Sequence, residues 1–496
     1  MTRRLYALEP RDRTGVFLGM SAVECALVGG AFLGAIVTRL AGAPVVVAVL
    51  VLVAGVGFAK LRVAGHPVRE WVPLLAGWAA ARVTGRRSWR APLPLFPASG
   101  TAAVLPPALR GVDVIEVDWR GRRVAAVRDR RAGRLTAVLP VTGAQFANQD
   151  PAAQDTLLAG WGDVLGGHAT GASPVVQVGW SDVAAPADPG DHHEWADDLL
   201  IAHTDGRDTV VPVGDPAGYR DLVDEVARAA VVHHTVVWVT VDGGQTPGGG
   251  KPVERAEAHL PVAIDDLTAT FGTAGLSTGG PLTAAGLWRL LRARIDPTDA
   301  SASARHGSLA ARLGLVGAHN AAPLALSTAW SELRMDGMFH RVWWVESWPR
   351  RPQPGDWLAG FLATGEPRAM TVVHRPLDTE RSQRRIESQL VKLSAHRARK
   401  EDRQRRVTEA DERTEAGVRD LESELASGYG EVLYLGLVSV TAPSLEELDA
   451  AGRRIEQAAR AHGMGLRVLH GRQDTAWAAS LPFGLVAPGL LDEVGL

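Results

Sequence analysis

The chain has 496 residues, enough for two or three domains with their own cores. A formal net charge of −2 leaves no global field to draw it to nucleic acid. The single cysteine, Cys25, excludes an intramolecular disulfide and any multi-cysteine zinc or iron–sulfur centre.

Two apolar runs open the chain. GVFLGMSAVECALVGGAFLGAIVT (15–38) carries one charge, Glu24, and APVVVAVLVLVAGVGFA (43–59) carries none. A spanning helix needs about 20 apolar residues, so the pattern predicts a transmembrane hairpin in residues 1–60, with spans at about 15–38 and 43–59. The runs stand back to back without a cleavage site after a short apolar core, which excludes a signal peptide. Arg3, Arg4, Arg11 and Arg13 precede the first run; Lys60, Arg62, Arg69, Arg82, Arg86, Arg87 and Arg90 follow the second; only Arg39 lies between. Both termini are therefore expected on the cytoplasmic side of the cell membrane. Gly15, Gly19, Ala22, Ala26, Gly30 and Gly34 recur every three to four residues, and Gly55 and Ala59 repeat that spacing. Such a stripe packs the hairpin on itself or receives another membrane subunit. Glu24 lies opposite the stripe, where a carboxyl meets another protein's helix or snorkels.

Residues 61–100 read as a juxtamembrane amphipathic helix, with Trp71, Leu75, Trp78 and Arg82 at helical spacing, and a Pro-rich linker, APLPLFPASG. VDVIEVDW, RRVAAVRDR and RLTAVLPV alternate between short turns, predicting an antiparallel meander over 112–141, within a β subdomain at 101–145. Residues 146–375 form an α/β body. Helices are expected at about 151–165, 216–231, 253–276, 282–295 and 354–364, and strands at PVVQVGWSDV, TVVWVTVD, FHRVWWVESWP and PRAMTVVHRP. This alternation suits ferredoxin-like α/β layers. Residues 376–428 are roughly half charged, without proline and with one glycine, Gly417, and predict one long helix or helical hairpin. RARKEDRQRR (397–406) is locally basic, but acids follow closely and no aromatics interleave, so direct nucleic-acid contact is not expected. Residues 429–496 read as strand, helix, strand, helix, with Ser444 and Glu447 spaced as a capping box.

The chain offers little catalytic chemistry. GGQTPGGGKP (243–252) resembles a phosphate loop, but the spacing puts Gln245 where the first glycine belongs and Pro252 where a magnesium-binding hydroxyl belongs. A flexible Gly/Pro loop is the expectation; a membrane-anchored nucleotide hydrolase using Gly248–Lys251 is the rival of another class. His192-His193-Glu194 lacks the spacing of a metal helix, and His233-His234 starts a strand, where neighbours face opposite ways. No nucleophile elbow occurs. No catalytic residue, cofactor or metal is expected.

A basic N-terminus, a tight two-helix hairpin, a Trp-bearing segment and an α/β body resemble an actinobacterial membrane-protein family encoded with type IV secretion and conjugation components. Its N-terminal hairpin is similar to PrgI-type subunits. RRAGRLTAVLPV, MTVVHRPLDTERSQRRIESQL and TAWAASLPFG carry the resemblance. The body also resembles the N-terminal, non-ATPase part of TrbE/CagE-type conjugation ATPases, with Leu481-Pro482 where an "LP" segment would stand. The resemblance takes in only that N-terminal part, so no nucleotide-binding domain is expected in this chain. The resemblance thus implies a non-catalytic inner-membrane docking subunit of a conjugation-like apparatus for DNA or protein transfer. It would assemble as a multimer with a separate ATPase and a channel subunit. A scaffold of a type VII-like secretion complex is the alternative within that class.

Overall fold

The computed structural model describes residues 22–63, 66–91, 105–143, 146–169, 173–187, 189, 192–193, 216–246, 249–273, 275–297, 321–402 and 406–485. They form two compact units. One holds the described residues of Glu9–Arg86 and Asp378–Glu431; the other holds those of Arg87–Leu377 and Val432–Leu496.

The first unit begins with α1 (Ala22–Leu40) and α2 (Val45–Lys60), a helical hairpin turned at Gly42 with φ +83°. The two-residue strands β1 (Arg62–Val63) and β2 (His66–Pro67) follow, then α3 (Val68–Val83). Here the expected membrane anchor is corrected. Among the described residues, no helix is long and apolar enough to cross a membrane. The 16 residues of α2 rise about 24 Å, short of a hydrocarbon core of about 30 Å. α1, described from Ala22, carries Glu24 and Arg39, and the uncharged stretch between them, 25–38, is shorter still. Apolar composition had stood for length, whereas length is set by where the helix stops, at the Gly42–Pro44 turn. The two-span hairpin, the cell-membrane location with both termini cytoplasmic, and the bilayer as partner are all withdrawn with it. Residues 15–21 lie outside the described residues.

The second unit is built on one large sheet. It opens with β3 (Ser88–Arg90) and the meander β4 (Val112–Trp119), β5 (Arg122–Asp129) and β6 (Arg134–Thr142). The meander turns at Arg120-Gly121, φ +52° and +75°, and at Gly133, φ +69°, conformations that glycine adopts without a Cβ clash. Next come α4 (Pro151–Gly167), β7 (Val175–Pro186), α5 (Pro216–Ala229), β8 (Val231–Asp242), α6 (Pro252–Thr273), β9 (Ser277–Thr278) and α7 (Ala284–Ile295). Then follow β10 (Ala325–Thr328), β11 (Leu333–Met335), β12 (Met338–Ser347), α8 (Ala359–Leu362) and β13 (Arg368–Pro376). The chain passes through α9 (Thr379–Asp402) and α10 (Glu409–Ala426), which belong to the first unit, and returns as β14 (Val432–Ala442), α11 (Leu445–Ala461), β15 (Gly465–Val468) and α12 (Gln473–Ala479).

Thirteen described strands join in the order β3-β10-β11-β12-β14-β13-β7-β8-β6-β5-β4, with β15 beside β12 and β9 beside β6. The main pairings are antiparallel throughout, for example β7 with β8, β13 with β7 and β13 with β14. The expected ferredoxin-like layers are thus replaced by a single α+β sheet. The meander, too, runs on into it, because β6 pairs with β8 from Arg134↔Asp242 to Pro140↔Val236. Central strands read as near-continuous Val, Thr and Trp because both their faces are buried. One face buries Trp238, Val342, Trp344 and Leu437 under α7 and α12. The other is covered by α6, through Leu260, Ile264 and Phe271 against Val237 and Val239, and by α11, through Leu448 and Ile455 against Trp343 and Val438.

The sheet repeats itself. Three meander strands, a connection carrying a helix, a strand, an excursion, a strand, a long helix, a short strand and a final helix occur in that order twice, from β4 to α7 and from β10 to α12. Their sheet orders, β4-β5-β6-β8-β7 and β10-β11-β12-β14-β13, meet where β7 pairs with β13. The Ser181 and Thr371 hydroxyls share a 2.9 Å hydrogen bond across that junction.

The charged stretch 376–428 folds as a hairpin rather than one rod. Thr408 opens α10 with a capping box to Asp411. Lys400 Nζ meets Asp411 Oδ2 at 2.5 Å and Arg397 Nη1 meets Glu415 Oε2 at 3.1 Å between the two helices.

Candidate docking groove

The small-residue stripe divides in two. A Cβ on Gly55 would stand 2.1 Å from the Ala31 Cβ, and one on Gly34 would meet Val51 Cγ1 at 3.5 Å. These glycines, with the fully buried Ala59, let α1 and α2 close on each other. A Cβ on Gly30 meets nothing within 4 Å, and Ala26 is exposed. Glu24 is buried, and Ala22 begins α1. Gly15 and Gly19 lie outside the described residues.

The described residues of the glycine-rich loop, 243–246 and 249–252, are held by the chain's own side chains. Asp242 Oδ1 accepts from the Gly244 N–H at 2.8 Å, and the Asp242 carbonyl accepts from Thr246 Oγ1 at 2.8 Å. Arg255 donates to the Gly243 and Gly250 carbonyls at 2.9 and 2.6 Å. The Lys251 N–H, at the start of α6, donates to Glu254 Oε2 at 3.1 Å. In a phosphate loop the ligand takes such an amide; here a carboxylate of the next turn holds it. Gly243 is required sterically, since a Cβ there would lie 1.7 Å from the Pro252 carbonyl oxygen.

The histidine pairs separate as well. His193 Nε2 lies 3.2 Å from Asp224 Oδ1, while Glu194 is outside the described residues. No group of three or more metal-capable side chains stands among the described residues. His234 is exposed, and His233, on the other face of β8, donates from Nδ1 to Asp182 Oδ2 at 2.9 Å. Asp182 is buried and takes a second hydrogen bond from Thr235 Oγ1 at 3.3 Å.

This His–Asp pair borders a groove of about 470 Å³ that sequence reading missed. Its walls are Phe146 before α4, Trp180 on β7, His233 on β8, and Gly355, Asp356, Leu358, Ala359, Leu362 and Ala363 around α8. The groove exists because the helix expected over 354–364 is a turn followed by only four helical residues. His233 and Asp182 are 51 residues apart and meet only through the β7–β8 register, in which Asp182 lies opposite Thr235. No sequence spacing signals such a pair; alternation along two strands of known register would. Among the described wall residues there is no serine, threonine or cysteine for the His–Asp pair to activate. Apolar walls with a few polar groups at the rim are suited to binding.

No family model and no curated protein matches the chain.

Proposed function

We propose that this chain is a non-catalytic structural and docking subunit of a conjugation-like type IV secretion apparatus, and that it recruits a separate ATPase. The observation that carries the docking part is the groove beside Trp180 and His233, apolar over most of its wall and with no serine, threonine or cysteine among the described residues that line it. The secretion part rests on the resemblance in RRAGRLTAVLPV, MTVVHRPLDTERSQRRIESQL and TAWAASLPFG. The Lys251 N–H held by Glu254 argues against the nucleotide-hydrolase rival.

The test is co-purification of the tagged full chain from cells that carry its gene neighbourhood. A conjugation-type ATPase in the complex supports the proposal; an FtsK-like ATPase replaces it with the type VII-like scaffold. ATP turnover by the purified chain alone, abolished by Lys251→Ala, returns the hydrolase.

A further inference from the structure

The two halves of the sheet can be aligned through their registers. Ser181 faces Thr371 at the junction. Moving outward, Val236 lies opposite Ser181 and Pro140 opposite Val236; on the other side Leu437 lies opposite Thr371 and Trp344 opposite Leu437. The same correspondence carries the pair Thr136–Thr240 onto His340–Thr441. Each pair shares a side-chain hydrogen bond of 2.9 Å. Two matched polar pairs at matched depth tie the correspondence to residues as well as to element order.

In each half, the connection leaving the third meander strand crosses onto the other half's junction strand. In the first half α4 lies against β13. There Trp161 stands edge-on to His374, with ring centres 5.4 Å apart, and stacks on Phe271 at 5.6 Å. Residues 348–367 take the corresponding path toward β7, where Leu358 and Leu362 line the groove together with Trp180. That second connection is shorter. It provides four helical residues where α4 has 17. The groove therefore lies where the counterpart of α4 would lie. His374, three residues past Thr371, corresponds to Ala184, and Ala184 is paired across the sheet with His233 at the groove's rim.

We propose that the groove seats a helix of a partner protein, about three turns long, laid on β7 as α4 is laid on β13. This deepens the docking reading above and rests on it. The helix presents a large apolar side chain to Trp180 and Leu362, as α4 presents Trp161 to its own strand.

The experiment uses the full chain, with a photo-crosslinking phenylalanine analogue at Ala359 or Ala363, in cells that carry its gene neighbourhood. Adducts on another polypeptide at residues three or four apart within one segment are the expected result. With the analogue at Ala359, Ala363→Glu, at an exposed position of the wall, should lower their yield about tenfold or more without lowering the melting temperature. Adducts on a second copy of this chain, on lipid, on a small molecule or on a strand or loop of the partner overturn the helix. So does no adduct at all from a chain that still co-purifies with its ATPase, an outcome that leaves the docking reading standing. Loss of co-purification with any ATPase removes the docking reading itself.

Discussion

At the scale of single residues, buried imidazoles set the pH response. Burial pushes His340 down to about 3, helped by the nearby Arg294 charge, and burial pushes His374 down to about 4. Both are neutral in the folded chain and titrate near 6.5 when unfolded. The unfolded chain therefore binds more protons between these values, and stability is full above about pH 6.5 and declines as pH falls. The slope is about 1.4 kcal/mol per pH unit for each histidine until its folded value is reached. Burial also lowers His168, so melting temperatures measured from pH 7 to 4.5 should drop steadily, and His340→Gln should flatten the slope by about a third to a half. Lys251→Ala tests the glycine loop at this scale. Its side chain is exposed and only its N–H is engaged, so stability should shift by less than about 0.5 kcal/mol. Arg255→Ala, which strips two carbonyls of their donor, should cost about 1–2 kcal/mol in chemical denaturation.

Among elements, the α1–α2 hairpin gives the sharpest contrast. Gly55→Val drives a side chain into Ala31 and should cost about 1–3 kcal/mol. Gly30→Ala meets open space and replaces a poor helix former, so it should be neutral or stabilising by up to about 1 kcal/mol. Thermal melts of the two variants check the assignment, and equal losses would refute it. Elements also show where the sequence was readable. The meander was plain because Val, Ile and Ala alternate with charges between Arg120-Gly121 and Ala132-Gly133 turns. The charged hairpin was plain because its residues are solvated and pair locally at i,i+4, as Arg384 does with Glu380. The membrane hairpin was misread because hydropathy reports what a run is made of, while crossing depends on how far it continues. The helix expected over 354–364 failed for a related reason. Trp357, Leu358, Phe361 and Leu362 have helical spacing, but Gly355 and Gly360 weaken so short a run.

Over the whole of the larger unit, the doubled sheet was invisible in sequence. Corresponding positions hold different residues, Thr136 against His340 and Trp238 against Ser439, so only register reveals them. The same reason hid the groove, since it is defined by a helix one half has and the other lacks. The final helix holds the two halves to a common core. Trp477 is buried with Trp344, Leu437 and Val138, and Trp477→Ala should cost about 3–5 kcal/mol by urea denaturation. A loss below about 1 kcal/mol would show that α12 is peripheral. Gly484, just beyond it, sits so close to Thr136 and Thr240 that an added Cβ would fall 2.4 and 2.6 Å from their hydroxyl oxygens. Strands synthesised first thus wait for a residue synthesised some 350 positions later to close over them. On the ribosome, the first half must therefore persist with the part of that face beyond α7 open for most of translation, and it is during this interval that the nascent polypeptide is most dependent on chaperones.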